Sequence, residues 1–189
     1  MSSEDIIALS PERKIVKSLE KKIAKSCEDF MLCTIFTIDE NKLIIKTVYK
    51  LSERANAEKA LSELESGLFL DFYNTISTVD VNEKFTFDNI IISFTGRGKR
   101  YNEVCGLIEE RLKINHSKAA VIVHKIHGTD SNKRWAISHI KRPSQSFFFD
   151  DELENVVEVS KLNNSEKSIK CFHFNPNDNL AKTIKDIYL

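Results

Sequence analysis

The hydrophobic rhythm of this chain changes about a third of the way along. Up to residue 65 the apolar residues are interrupted. Ile15, Val16, Leu19 and Ile23 recur at helical spacing after Ser10-Pro11, a pair that suits a helix start: Ser caps a free N–H, and Pro has none to leave unsatisfied. Met31 to Thr37 and Lys42 to Val48 predict two strands, with Asp39-Glu40-Asn41 as the hairpin turn between them. A second helix is expected after Ser52, with Ala57, Ala60, Leu61 and Leu64 facing inward. Residues 1–65 therefore read as an α-β-β-α segment.

After Ser66-Gly67 the apolar runs become continuous. Leu68-Phe69-Leu70 ends in Asp71. Ile90 to Phe94 ends in Thr95-Gly96-Arg97-Gly98. Ala119 to Val123 follows, then Phe147-Phe148-Phe149 ending in Asp150-Asp151, then Ser168 to Phe174. Between these strands lie amphipathic stretches: Val104, Leu107, Ile108 and Leu112; Lys133 to Ile140; Leu153, Val156 and Val157; and a closing helix with Leu180, Ile184 and Ile187. Wholly apolar strands alternating with amphipathic helices predict an α/β fold with a parallel sheet between helices. Such sheets bind ligands at the carboxyl ends of their strands. Asp71, Thr95, Asp150 and Asp151 all fall at such ends, so they are candidate site residues by position alone.

Composition adds limits. At 189 residues and 41% hydrophobic content, the chain suits one domain with its own core plus the N-terminal segment. Its 28 basic and 28 acidic residues cancel, leaving no long-range field for DNA or anionic membrane. Two local basic groups, Arg97-Lys99-Arg100 and Lys141-Arg142, read as solvated surface, with phosphate-backbone contact as the sharper alternative. Cys27, Cys33, Cys105 and Cys171 form no CxxC, and the polar N-terminus MSSEDIIALSPERK lacks an apolar signal core. The expectation is a reduced, cytoplasmic protein with no membrane span. His124 and His127 read as strand-end residues, Trp135 as core, and Cys171-x-His173 lacks the second pair a zinc site needs.

The strand-end residues match the needs of one chemistry. Phosphoryl transfer to a carboxylate needs an oxygen near phosphorus, a hard cation to offset charge, and donors for the phosphate oxygens. Mg²⁺ takes a couple of carboxylates plus water and substrate. Asp71 with Asp150-Asp151 can supply the carboxylates, Thr95 a hydroxyl donor and Lys133 a positive charge.

In order along the chain, Leu68-Phe69-Leu70-Asp71-Phe72-Tyr73-Asn74-Thr75, Ile91-Ile92-Ser93-Phe94-Thr95-Gly96-Arg97, a helix-borne lysine, and Phe147-Phe148-Phe149-Asp150-Asp151 resemble the four motifs of the haloacid-dehalogenase (HAD) superfamily. The resemblance covers residues 66–189. It implies a Rossmann-like HAD domain preceded by the small N-terminal segment, and a phosphoric monoester hydrolase working through an aspartyl-phosphate on Asp71. By the same resemblance, Asp71, the backbone carbonyl of Tyr73, and Asp150 or Asp151 would hold Mg²⁺. Thr95 and Lys133 would bind phosphate, with Lys141 as the second candidate for the motif lysine. Thr95-Gly96-Arg97 looks like the version in the phosphatase domains of polynucleotide kinase-phosphatases, so Gly96 and Arg97 would touch substrate.

Tyr73 departs from the pattern. Family phosphatases carry there an Asp that protonates the leaving group and then activates water, and tyrosine is a poor base at neutral pH. Dehalogenases of the superfamily do have Tyr at this position, but they insert a helical cap after the first motif, and the short polar stretch Ser77 to Asp88 leaves no room for one. Capless members have open sites and act on large substrates, so the resemblance implies a phosphorylated partner such as a nucleic-acid 3′-phosphate or a phosphoprotein. The alternative reading is a catalytically impaired HAD-fold protein that binds or assembles without turnover.

Overall fold

The change of rhythm at residue 66 marks the point where the chain enters the middle of its sheet. The computed structural model describes residues 31–40, 42–80, 82, 85–87, 90–94, 100–114, 119–124 and 132–188. The helix expected after Ser10-Pro11 lies outside them. The described strands are β1 (Met31–Asp39), β2 (Lys42–Lys50), β3 (Leu68–Asp71), β4 (Phe85–Phe87), β5 (Ile90–Phe94), β6 (Leu112–Ile114), β7 (Ala119–His124), β8 (Gln145–Asp150) and β9 (Ser168–His173). The helices are α1 (Arg54–Ser62), α2 (Arg100–Arg111), α3 (Asn132–His139), α4 (Leu153–Ser160) and α5 (Leu180–Tyr188). Single 3₁₀ turns precede α1 (Leu51–Glu53) and follow β3 (Ile76–Thr78).

A seven-stranded sheet runs in the order β2-β1-β7-β5-β3-β8-β9. From β7 to β9 every neighbouring pair is parallel. The expected parallel sheet is therefore a mixed one. The β1–β2 hairpin joins its edge with β1 antiparallel to β7, from Cys33↔Val123 to Thr37↔Ala119. Without the hairpin, the ladder groups on that side of β7 would be left unpaired. The hairpin turn is where the sequence places it, and Glu40 takes a left-handed φ of 47°, as a two-residue turn between twisted strands requires.

Alternation along each strand divides the core in two. Phe36, Leu68, Leu70, Ile122, Phe147 and Phe149 face α2 and α5. Ile35, Phe69, Val121, Val123, Phe148 and Ile169 face α1, α3 and α4. Five phenylalanines, Phe36, Phe69, Phe72, Phe148 and Phe149, are among the largest fully buried side chains. Each removes enough apolar area from water to contribute roughly 1.5–3 kcal/mol. The N-terminal hairpin and α1 share this core: Leu32, Ala57 and Leu61 pack in the same cluster as Trp135 and Ala136.

Two local expectations are corrected. The inward face of α4 is Val156 and Val159, while Leu153 and Val157 are 57% and 49% exposed. Helical spacing from Val156 runs to Val159 and on to the partly buried Leu162, so only that stripe can face the sheet. Leu112, expected to close the inner face of α2, instead opens β6, which pairs in parallel with β4 in a separate two-stranded sheet. β4 falls inside the stretch read as polar linker. Its Phe85-Thr86-Phe87 alternation is a short strand signal.

Candidate metal and phosphate site

The middle strand of the five parallel ones carries the site. β3 lies between β5 and β8, with Leu68, Phe69 and Leu70 opposite Phe147, Phe148 and Phe149. One step further, the same register sets Asp71 beside Asp150 at the carboxyl ends of both strands. Side chains alternate along a strand, so Asp71 shares the face of Phe69, and Asp150 that of Phe148. That face is covered by α3. Ala136 and Ile137 of α3 and Ile140 just past its end pack against the sheet, and Lys133 precedes them at i−3, i−4 and i−7. Lys133 is thus the one charged member of an otherwise apolar stripe, and its Nζ is delivered to the ends of β3 and β8.

The contacts follow from that placement. Lys133 Nζ donates to Asp71 Oδ1 at 2.7 Å and to Asp150 Oδ2 at 2.5 Å, all three groups being buried. Asp150 Oδ1 accepts from the backbone N–H of Glu152 at 2.9 Å. Lys141, the alternative motif lysine, is exposed, and its backbone bridges to Glu65 beyond the far end of the sheet. Of the two lysines, Lys133 reaches the strand-end carboxylates and Lys141 lies away from them.

One ammonium cannot neutralise this much acid. Burial pushes the Asp71 carboxyl up to about 8; Lys133 opposes the shift and Asp150 adds to it. Asp150 is raised by burial too, again against the pull of Lys133. Burial alone would lower Lys133, but the charges of Asp71 and Asp150 outweigh it and raise it. Asp151, half-buried, brings a third carboxyl within hydrogen-bonding reach of Asp71.

Asp71, Asp150 and Asp151 each present an oxygen within 4.8 Å of the others, and this cluster can hold a metal ion. The fit is chemical as well as spatial. Asp71 and Asp151 lie within hydrogen-bonding reach of each other, and a hard divalent cation with oxygen ligands can take the place of the proton they would otherwise share.

The connection after Asp71 is tightly built. Thr75 N–H and Ser77 N–H both donate to the Phe72 carbonyl, at 3.3 and 3.0 Å. Asn74 takes a left-handed φ of 55°, and its N–H donates to Ser77 Oγ at 2.9 Å. Asn74 Nδ2 donates to Asp151 Oδ2 at 3.1 Å. His173 Nε2 lies 2.9 Å from the Asp151 carbonyl oxygen, which can only accept, so that ring nitrogen carries a proton. Thr75 Oγ1 is fully buried and has no hydrogen-bond partner among the described residues. Tyr73 is half-buried, packs edge-to-face on Phe72 at 5.1 Å and leans on the core.

The fold thus brings Asp71, Lys133, Asp150 and Asp151 together. Thr95, Gly96 and Arg97 lie outside the described residues, as do Lys99 and His127. The strand leading to them is described, with Ser93 opposite Asp71. Asn74 and His173 are additions that the sequence did not single out as site residues; their links to Asp151 span 77 and 22 residues. The left-handed tolerance of Asn was the one local hint for Asn74. His124 is a strand-end histidine as expected, buried and hydrogen-bonded to Thr34 Oγ1 at 3.1 Å. No helix among the described residues is long and apolar enough to cross a membrane. Comparison with protein-family models, with curated proteins and with solved structures returns no match, so the geometry of the site carries its interpretation.

Proposed function

We propose that this chain is a capless, Mg²⁺-dependent phosphohydrolase of the HAD type, transferring a phosphoryl group through Asp71. The observation that carries the reading is the convergence of Asp71, Asp150, Asp151 and Lys133 at the carboxyl ends of adjacent parallel strands. The ordered motifs described above support the same assignment. The described residues of the connection from Asp71 to β5 hold a 3₁₀ turn and the short β4 and include no α-helix, in keeping with a capless reading.

Asp71, Asp150 and Asp151 would hold the cation, with the Tyr73 carbonyl as a further oxygen donor. Bound Mg²⁺ supplies positive charge against the phosphate oxygens. The Asp71 carboxylate attacks phosphorus. The bond to the leaving oxygen breaks, and an aspartyl-phosphate forms. Lys133 holds Asp71 in place and offsets the charge growing on the phosphoryl group. Water then attacks the aspartyl-phosphate, releasing phosphate and restoring Asp71. Without an Asp at position 73, the leaving oxygen takes its proton from solvent or from substrate, and the rate loss is on the order of 10²–10⁴-fold. The capless reading and the basic residues Arg97, Lys99 and Arg100 in the sequence favour a large substrate such as a nucleic-acid 3′-phosphate.

Tyr73 also favours a second reading, in which the pocket binds a phosphorylated partner without turnover. Thermal melting of wild type and Asp71→Asn with Mg²⁺ and beryllium fluoride, a mimic of phosphoryl on aspartate, tests the site. At a hundredfold excess over Kd the wild type gains about 2.7 kcal/mol, a rise of roughly 5–10 °C for a chain of this size. Asp71→Asn shows none. Release of phosphate from phosphorylated oligonucleotides, lost in Asp71→Asn, then separates catalysis from binding. A wild type that neither gains stability nor releases phosphate refutes the first reading.

A further inference from the structure

Asp151 differs from the other two carboxylates. Lys133 holds Asp71 and Asp150, but Asp151 sits outside that grip and is only half-buried. A half-buried carboxylate rotates freely unless something stops it. Here Asn74 donates to one of its oxygens, while His173 holds its backbone carbonyl.

The Asn74 side chain is exposed, but its backbone is fixed. Its left-handed φ of 55° directs the chain out of β3, and Ser77 Oγ accepts its N–H. Glycine would adopt this backbone with no strain, but it could not reach Asp151.

We propose that Asn74 is a positioning residue that orients Asp151 for the metal, so that one Asp151 oxygen is held by the amide and the other is presented to the cation beside Asp71. The inference rests on the metal-site reading above and assigns the amide a task within it. Groups that orient metal ligands set affinity by limiting the rotations a ligand must give up, and their loss typically weakens binding 10–100-fold.

The test is Mn²⁺ binding, followed by the loss of the free-ion EPR signal, in the full chain. Asn74→Gly removes the amide and leaves the backbone at ease. Its urea stability in EDTA matches wild type, while its Kd for Mn²⁺ rises 10–100-fold. In an Asp151→Asn background, Asn74→Gly adds no further loss, because the two groups act through one interaction. Equal Mn²⁺ affinity in wild type and Asn74→Gly overturns the proposal while leaving the site reading intact. Additive losses in the double variant overturn it as well. If wild type binds no Mn²⁺, or binds it as well after Asp71→Asn, the site reading itself fails, and the assignment of Asn74 falls with it.

Discussion

Lys133→Met removes the only described ammonium between Asp71 and Asp150 and keeps the stem that packs beside Ala136 and Ile137. The side chains of Lys133, Asp71 and Asp150 are 10%, 7% and 0% exposed, so water replaces little of the lost charge. Removing one partner of a buried ion pair costs about 3–5 kcal/mol. The two carboxyls have one escape, which is to take up protons. Escape becomes harder as pH rises, by up to about 1.4 kcal/mol per pH unit for each group. The cost is therefore expected to be small near pH 5 and to grow as pH rises, reaching its full size above pH 8, where Asp71 has given up its own proton. Trp135, the single tryptophan, is buried in the core on the same helix, so its fluorescence reports urea unfolding in EDTA. Adding Asp71→Asn recovers part of the loss, because one carboxylate fewer is stranded. If Lys133→Met stays within about 1 kcal/mol of wild type at pH 9 and its stability follows the same pH course, Lys133 does not neutralise the buried acids and the electrostatic account of the site is wrong.

Because Asp71 holds its proton up to about pH 8 in the fold, against about 4 in an unfolded chain, the folded state binds the extra proton between those values. Metal-free stability should fall as pH rises through that window, and Asp71→Asn should flatten the fall in urea titrations at pH 5 to 8. Phe148→Ala, which empties a fully buried position two residues before the end of β8, should cost about 3–5 kcal/mol; a loss under 1 kcal/mol would contradict the packing described. On α4, Val157→Glu should change stability by no more than about 0.5 kcal/mol, while Val159→Glu should unfold the chain, and circular dichroism distinguishes the two.

The fold was legible where pattern and burial coincide. β3, β5, β7 and β8 sit inside the sheet, so continuous apolar runs dominate their sequences and their polar ends stand out. The sequence could not show that the hairpin would join the same sheet, because pairing across ninety residues leaves no local trace. For the site, the acids were found by strand-end position. Lys133 needed one more step: it continues the inward stripe of Ala136, Ile137 and Ile140, whereas Lys141 lies past the end of α3. Asn74 was out of reach, because its partner Asp151 is brought near only by the β3–β8 pairing. The inward face of α4 was misjudged for a local reason: adjacent Val156 and Val157 offer two overlapping stripes, and only the sheet decides between them.

The pairing of β1 with β7 also sets a schedule for synthesis. Thr34 and its neighbour His124 are separated by ninety residues. At 5–20 residues per second, the ribosome takes roughly 5–18 s to make the strand that β1 needs. For that interval the hairpin can close on itself, but one of its edges stays open to other chains. Its outer strand carries Lys42, Lys46 and Lys50, and like charges brought strand against strand discourage two nascent hairpins from pairing through β2, whereas β1 carries no lysine and stays exposed until β7 arrives.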